Sequence, residues 1–263
     1  MKRTLPPIKL EHSPLVLVLC QVRFSPILAM GEYFPKIQDR LRLKGYPLVN
    51  NAAIQETIFT PTGMTTVQRQ HWRVQDKSET SSIIVTESFI AVQTTAYAVF
   101  EDFLERVILA LDTVAAEVKE LFVQRIGLRY VDLVRPPKEL PWTDYVRPGL
   151  QGIQSNVFTE GTQTQLHQSV AQTARGSMII RLIQNRDGQT LPPDLIEPEH
   201  KSRLHPELGP GELLTILDLD HFSAHQKNYD AAWLRDEACL LHDDLDRVFR
   251  ESLFTPAAFS AWN

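Results

Sequence analysis

Basic residues are not in excess in this chain, cysteine is scarce and no long hydrophobic run occurs. Each shortage argues against a class of protein. Lys and Arg number 27 against 32 Asp and Glu, a net charge of −5 over 263 residues. The excess of acid lies in residues 135–263, which hold 12 basic and 18 acidic side chains, against 15 and 14 in residues 1–134. A surface that neutralises many phosphates needs a basic excess, so bulk nucleic-acid binding is disfavoured. The two cysteines, Cys20 and Cys239, sit far apart in apolar contexts. They read as reduced thiols of a cytoplasmic protein and not as a disulfide framework. No apolar stretch approaches the roughly 18 residues of a membrane span, so no membrane association is expected. Met1-Lys2-Arg3 ahead of Leu15-Val16-Leu17-Val18-Leu19-Cys20 imitates a secretion signal. The apolar run is too short for one, and Pro6, Pro7, Glu11 and His12 interrupt its approach, so a buried strand is expected instead.

Catalytic and cofactor signatures are missing as well. The chain has no H-E-x-x-H, no phosphate-binding glycine loop and no dinucleotide fingerprint, and no G-x-S-x-G elbow surrounds a serine. No cofactor is therefore expected.

What is present is pattern. From Phe100 the apolar residues Phe103, Leu104, Val107, Ile108, Leu111, Val114, Ala115, Val118 and Leu121 recur at steps of three and four, a long amphipathic helix. Glu101 and Asp102 suit the positive end of its dipole. A strand-like run, Ser82 to Thr94, precedes it, and a second, Phe122 to Val134, follows. Upstream, Pro14 to Phe24 reads as a strand. Glu32 to Lys44 reads as a helix with Phe34, Ile37, Leu41 and Leu43 inward, and Ile54 to Phe59 and Thr65 to Gln75 read as strands of a meander with Ser82 to Thr94. Residues 1–134 thus run β-α-β-β-β-α-β. Residues 135–150, with Pro136, Pro137, Pro141 and Pro148-Gly149, read as a link.

Residues 151–263 form a second α+β half, either separate or continuous with the first as one domain. It has strands at Gln163 to Thr173, Ser177 to Asn185 and Leu213 to Phe222, and a second long helix capped by Asn228 or Asp230. A short last helix opens with Pro256. The expected class is α+β: twisted antiparallel sheet with two long helices laid across one face. The two halves suggest an internal duplication of helix-grip-like units. Between Gly188 and Gly211 lies a proline-rich loop of the length that is usually functional or disordered.

Three groups of residues are candidates for chemistry. Alternation along Phe122 to Val134 puts Arg125, Gly127 and Arg129 on one side, where two arginines beside a glycine can receive an anion. With Tyr130 and Arg23 they make the candidate ligand-binding set, and the plainer alternative is that they are ion-paired or solvated. Asp218, Asp220 and His221, with His225 behind, are the most metal-like cluster, set against a polar strand face running into a loop. His200, Ser202 and His205 imitate part of a hydrolytic site. His242-Asp243-Asp244 and Asp246 read as the solvated side of the second long helix, acidic enough to dock a basic partner.

The string Arg125-Ile126-Gly127-Leu128-Arg129-Tyr130-Val131 resembles the central signature of an uncharacterised, sporadically distributed family of bacterial proteins of about this length. Ser13-Pro14 to Phe24-Ser25-Pro26 and Leu217-Asp218-Leu219-Asp220 are similar to the same family. The resemblance implies a cytoplasmic bacterial protein from accessory loci of the toxin–antitoxin, immunity or phage-defence kind, with no activity to carry over. Together these readings favour a non-enzymatic module that binds another protein encoded nearby. The alternative is a small-ligand protein or enzyme of helix-grip type, with Arg125 and Arg129 at the mouth of its cavity. Metal-dependent hydrolysis at Asp218, Asp220 and His221 is the third expectation.

Overall fold

The computed structural model describes residues 10–60, 63–135, 141–153, 155, 157, 164–195 and 211–263, with the backbone alone for 51–60 and 63–69. Among the described residues, nine strands form one sheet: β1 (Leu15–Phe24), β2 (Leu48–Thr60), β3 (Gly63–Gln75), β4 (Ser81–Val85), β5 (Phe89–Thr94), β6 (Phe122–Val134), β7 (Gln165–Gln172), β8 (Ser177–Asn185) and β9 (Leu214–Asn228). Their spatial order is β2-β3-β4-β5-β1-β6-β9-β8-β7. The helices are α1 (Met30–Leu43), α2 (Phe100–Val118), the short α3 (Trp142–Tyr145), α4 (Ala231–Val248) and α5 (Pro256–Trp262). No helix among the described residues is long and apolar enough to cross a membrane.

The α+β class and the antiparallel pairing follow the sequence reading, with informative differences. The run Ser82 to Thr94 is two strands and not one. The Thr86 hydroxyl accepts the backbone N–H groups of Ser88 at 3.2 Å and Phe89 at 2.9 Å, which reverses the chain. β4 then pairs back on β5, Ile83 opposite Val92. The first part therefore runs β-α-β-β-β-β-α-β. Strand β9 continues past Phe222 to Asn228, and Tyr229 N–H still donates to the Leu121 carbonyl at 2.8 Å. Asp230 caps α4, its carboxylate accepting Trp233 N–H at 2.7 Å. In α1, Phe34, Ile37 and Leu41 are buried as expected, whereas Leu43 is 72% exposed. It is the last residue of the helix, just before the Gly45 reversal with φ 101°.

Compactness divides the chain into two units that do not follow its sequential halves. One comprises Met1–Val18, Gly127–Ser223 and Asp236–Asn263, the other Leu19–Ile126 and Ala224–Arg235. Strands β1, β6 and β9 each contribute residues to both.

In the second unit, α2 buries Phe100, Phe103, Leu104, Val107, Ile108, Leu111 and Val114, the stripe its period dictates. It stops at Lys119, whose φ of 68° turns its N–H back to the Ala115 carbonyl. Trp72 of β3 stacks on Phe34 of α1 with centroids 5.1 Å apart. Cys20 is buried there, which pushes its thiol up to about 12 and leaves it inert.

The first unit has its own core of Val16, Leu17, Val131, Leu133, Ile183, Leu191, Leu214 and Ile216, against which Leu195 packs. A C-terminal aromatic cluster joins Phe249, Phe254 and Trp262, and Trp262 meets Tyr145 of α3 edge-on at 5.9 Å. The link expected at 135–150 contains α3 and a single helical turn at Pro148–Leu150, while residues 136–140 lie outside the described residues.

Candidate functional site

The polar interior of the first unit centres on β6, β8 and β9. In β6 the alternation of side chains sets Arg129, Val131 and Leu133 on one face and Tyr130, Asp132 and Val134 on the other. In β9 the same rule separates Asp218 and Asp220 from Leu217, Leu219 and His221. Register pairs Arg181 of β8 directly with Asp218. The result is two polar clusters, one on each side of the sheet.

On the first side a buried carboxylate sits between two guanidinium groups. Asp218 is fully buried. Arg129 Nε donates to its Oδ1 at 2.6 Å and Arg129 Nη2 to its Oδ2 at 2.8 Å. Arg181 Nη1 donates to the same Oδ2 at 2.8 Å, and Arg181 Nε to Gln168 Oε1 of β7 at 3.0 Å. The outer edge of Arg129 is forked in turn by Asp194, from Nη1 to Oδ2 at 2.7 Å and from Nη2 to Oδ1 at 3.0 Å. Asp194 lies on a single helical turn, Pro193–Leu195, in the β8–β9 connection.

The two arginines and two carboxylates are formally neutral, which is what permits so much charge in an interior. Burial works against the charge of Arg129, but its hydrogen bonds to Asp194 and Asp218 outweigh it and hold the guanidinium above its ordinary value. The Arg129 guanidinium in turn holds the Asp194 carboxyl below the usual carboxylate range.

The helix-facing side is also polar. Tyr130 is buried, with its hydroxyl 2.9 Å from His242 Nδ1 on α4. His221 is buried with Nδ1 3.3 Å from the Leu241 carbonyl and Nε2 2.9 Å from the Thr173 hydroxyl. The carbonyl can only accept, so Nδ1 carries a proton, while the Thr173 hydroxyl beside Nε2 also lies 3.2 Å from the Gly176 carbonyl. Burial, ahead of the hydrogen bond to Leu241, lowers the pKa of His221. Asp132, two residues beyond Tyr130 on the same face of β6, is buried, and burial, reinforced by the charge of Asp218, pushes its carboxyl up to about 8. It is therefore protonated through most of the neutral range.

Set against the sequence reading, the structure brings together a different group of residues. Of Arg23, Arg125, Arg129 and Tyr130, only Arg129 belongs to the ion network. Tyr130 points to the opposite face, because neighbouring residues of a strand must. Arg23 and Arg125 are in the other compact unit, where each donates to Gln21 Oε1, at 2.9 and 3.3 Å.

Asp218, Asp220 and His221 do not converge as ligands. His221 faces α4, Asp218 is taken up by Arg129 and Arg181, and no group of three potential ligands gathers among the described residues. His242 and Asp243 are buried and not on a solvated face, since α4 buries a wider arc than its leucines mark. His200, Ser202 and His205 lie outside the described residues. Asp194, Arg181, Asp132 and Thr173 were missed. Arg181 carried a weak signal, a lone charge in the apolar strand Ser177–Asn185. Asp194 carried none, because only the tertiary fold delivers it to Arg129.

Compared with protein families and with curated proteins, the chain matches none of them. Its function has to be read from its own residues.

Proposed function

We propose that this protein is a non-enzymatic protein-binding module that receives its partner by strand addition at β7. The observation that carries the proposal is the character of this edge. Among the described residues β7 closes the sheet order, so its outer N–H and C=O groups face no described strand. Edge strands of monomers are normally guarded by charge, proline or a bulge. Gln165-Leu166-His167-Gln168-Ser169-Val170-Ala171-Gln172 contains no Lys, Arg, Asp, Glu, Pro or Gly. Leu166 and Val170, two residues of one face, are 63% and 61% exposed. An unguarded edge with an apolar face is an aggregation hazard unless a partner occupies it, and an added strand uses both its backbone groups and alternate side chains.

The proposed setting is the bacterial cytoplasm and the proposed partner a protein encoded nearby, as in toxin–antitoxin, immunity or phage-defence pairs. Native mass spectrometry of the protein co-expressed with its genomic neighbours is the test. A complex is expected that is lost on Leu166→Lys with Val170→Lys, while the variant unfolds at the wild-type denaturant midpoint. A wild-type protein that stays uncomplexed with every neighbouring product refutes the proposal.

A second reading, a small-ligand protein of helix-grip type, is favoured by the Arg129–Arg181 pair, in which two positive charges meet one buried carboxylate.

A further inference from the structure

We propose that Arg129 and Arg181 form an oxyanion-binding site that the chain's own Asp194 occupies as a displaceable internal ligand. The proposal rests on the second reading above and gives it a site, a ligand class and a means of regulation.

The charges around Asp218 are unevenly buried. The Asp218 side chain is fully buried and that of Arg129 is 8% exposed, whereas Arg181 is 23% exposed and Asp194 59% exposed. The inner three groups are fixed on the adjacent strands β6, β9 and β8 and carry a net positive charge. The group that neutralises them comes from a connection between strands and is the most solvated of the four. It grips Arg129 with both carboxylate oxygens on two guanidinium nitrogens, the geometry in which an external carboxylate or phosphate binds arginine. Leu191 and Leu195, on either side of Asp194, pack into the core of this unit. The backbone of the turn can thus stay seated while the Asp194 side chain alone swings to solvent.

The ligand class is an oxyanion that offers two oxygens in one plane to the guanidinium. Asp194 competes with it from the same chain at an effective concentration on the order of millimolar. This competition raises the anion concentration needed to bind the wild-type protein, and removal of Asp194 removes the competitor. Leu166, Val170 and Gln168 share one face of β7, and Gln168 touches Arg181, so a ligand here abuts the proposed docking edge.

The experiment measures the thermal unfolding midpoint against citrate and against inorganic phosphate, with sodium chloride at matched ionic strength as reference. It uses the wild-type chain, Arg181→Gln, Asp194→Ala, and Asp194→Ala with Arg181→Gln. The expected result is that Asp194→Ala is stabilised at an anion concentration on the order of tenfold lower than the wild type. Adding Arg181→Gln should weaken or abolish the response. Citrate and phosphate distinguish a carboxylate from a phosphate ligand. Asp194→Asn repeats the test should the alanine variant fail to fold.

An Asp194 variant that responds to citrate and phosphate no more than to sodium chloride overturns the proposal. If the wild type nevertheless responds and Arg181→Gln cancels it, the small-ligand reading survives and only the internal-ligand role fails. If neither responds, both fall.

Discussion

Asp218→Asn probes the buried ion network most directly. The carboxylate has no exposed surface and accepts two bonds from Arg129, at 2.6 and 2.8 Å, and one from Arg181, at 2.8 Å. The amide keeps one acceptor oxygen but loses the charge, and it presents an N–H₂ group to a guanidinium that can only donate. Breaking a buried pair from one side costs about 3–5 kcal/mol, because the remaining charge stays desolvated. The retained acceptor places this variant near the lower end, about 3 kcal/mol. Asp194→Ala removes an equally well-formed fork on Arg129 from the solvated side, where such a contact contributes about 0.2–1 kcal/mol. The two variants should therefore differ severalfold although both remove a carboxylate from the same arginine. Urea unfolding followed by circular dichroism reads the difference. With an m-value of about 3 kcal/mol per molar, Asp218→Asn lowers the midpoint by on the order of 1 M and Asp194→Ala by a small fraction of that. Equal losses for the two variants, or a loss below about 1 kcal/mol for Asp218→Asn, would refute the assignment of Asp218 as the buried keystone of the network.

Other tests follow from the same geometry. Asp132 has its pKa raised from 3.8 to about 8, so its contribution is fully present below the unfolded value and is lost as pH rises through the folded one. Asp132→Asn should flatten a decline of stability from pH 4 to 8 that reaches about 1.4 kcal/mol per pH unit in the wild type, measured by urea unfolding across that range. His221 has the opposite sign: its folded pKa is lowered from 6.5, so stability falls as pH drops below the unfolded value. Its ring should titrate by NMR at a lower pH than an ordinary histidine, and an unshifted or raised midpoint would contradict its burial. A Cβ at Gly176 would stand 2.1 Å from the Phe222 carbonyl oxygen, a backbone atom that cannot swing aside. Gly176→Ala should cost about 1–3 kcal/mol in the same unfolding assay.

Much of the architecture was legible because hydrophobic period depends only on local geometry. Strand β6, helix α2 with its buried stripe, the inward residues Phe34, Ile37 and Leu41, and Pro256 opening α5 could all be placed from residue order. The β4–β5 reversal escaped because Thr86 acts through its hydroxyl and leaves no glycine or proline to mark the turn. Arg129 stands out in the sequence, but alternation pairs it with Arg125, which belongs to the other compact unit. Alternation could exclude Tyr130 from the face of Arg129, yet nothing in it could supply Arg181 or Asp194, 52 and 65 positions away.

Local order therefore determined which segments are helix and strand, which side of each is apolar, and that the composition suits an α+β domain. The tertiary structure alone decided that β7 ends the sheet order of the described residues, that His242 turns inward to Tyr130, and that Asp218 joins Arg129 and Arg181. The physical reason is that a strand's period specifies the face on which a side chain lies, whereas its partner on that face is set by which strands become neighbours. That choice is made by the packing of the whole unit, where burying a charge requires its counter-charge to arrive from wherever the chain can bring it.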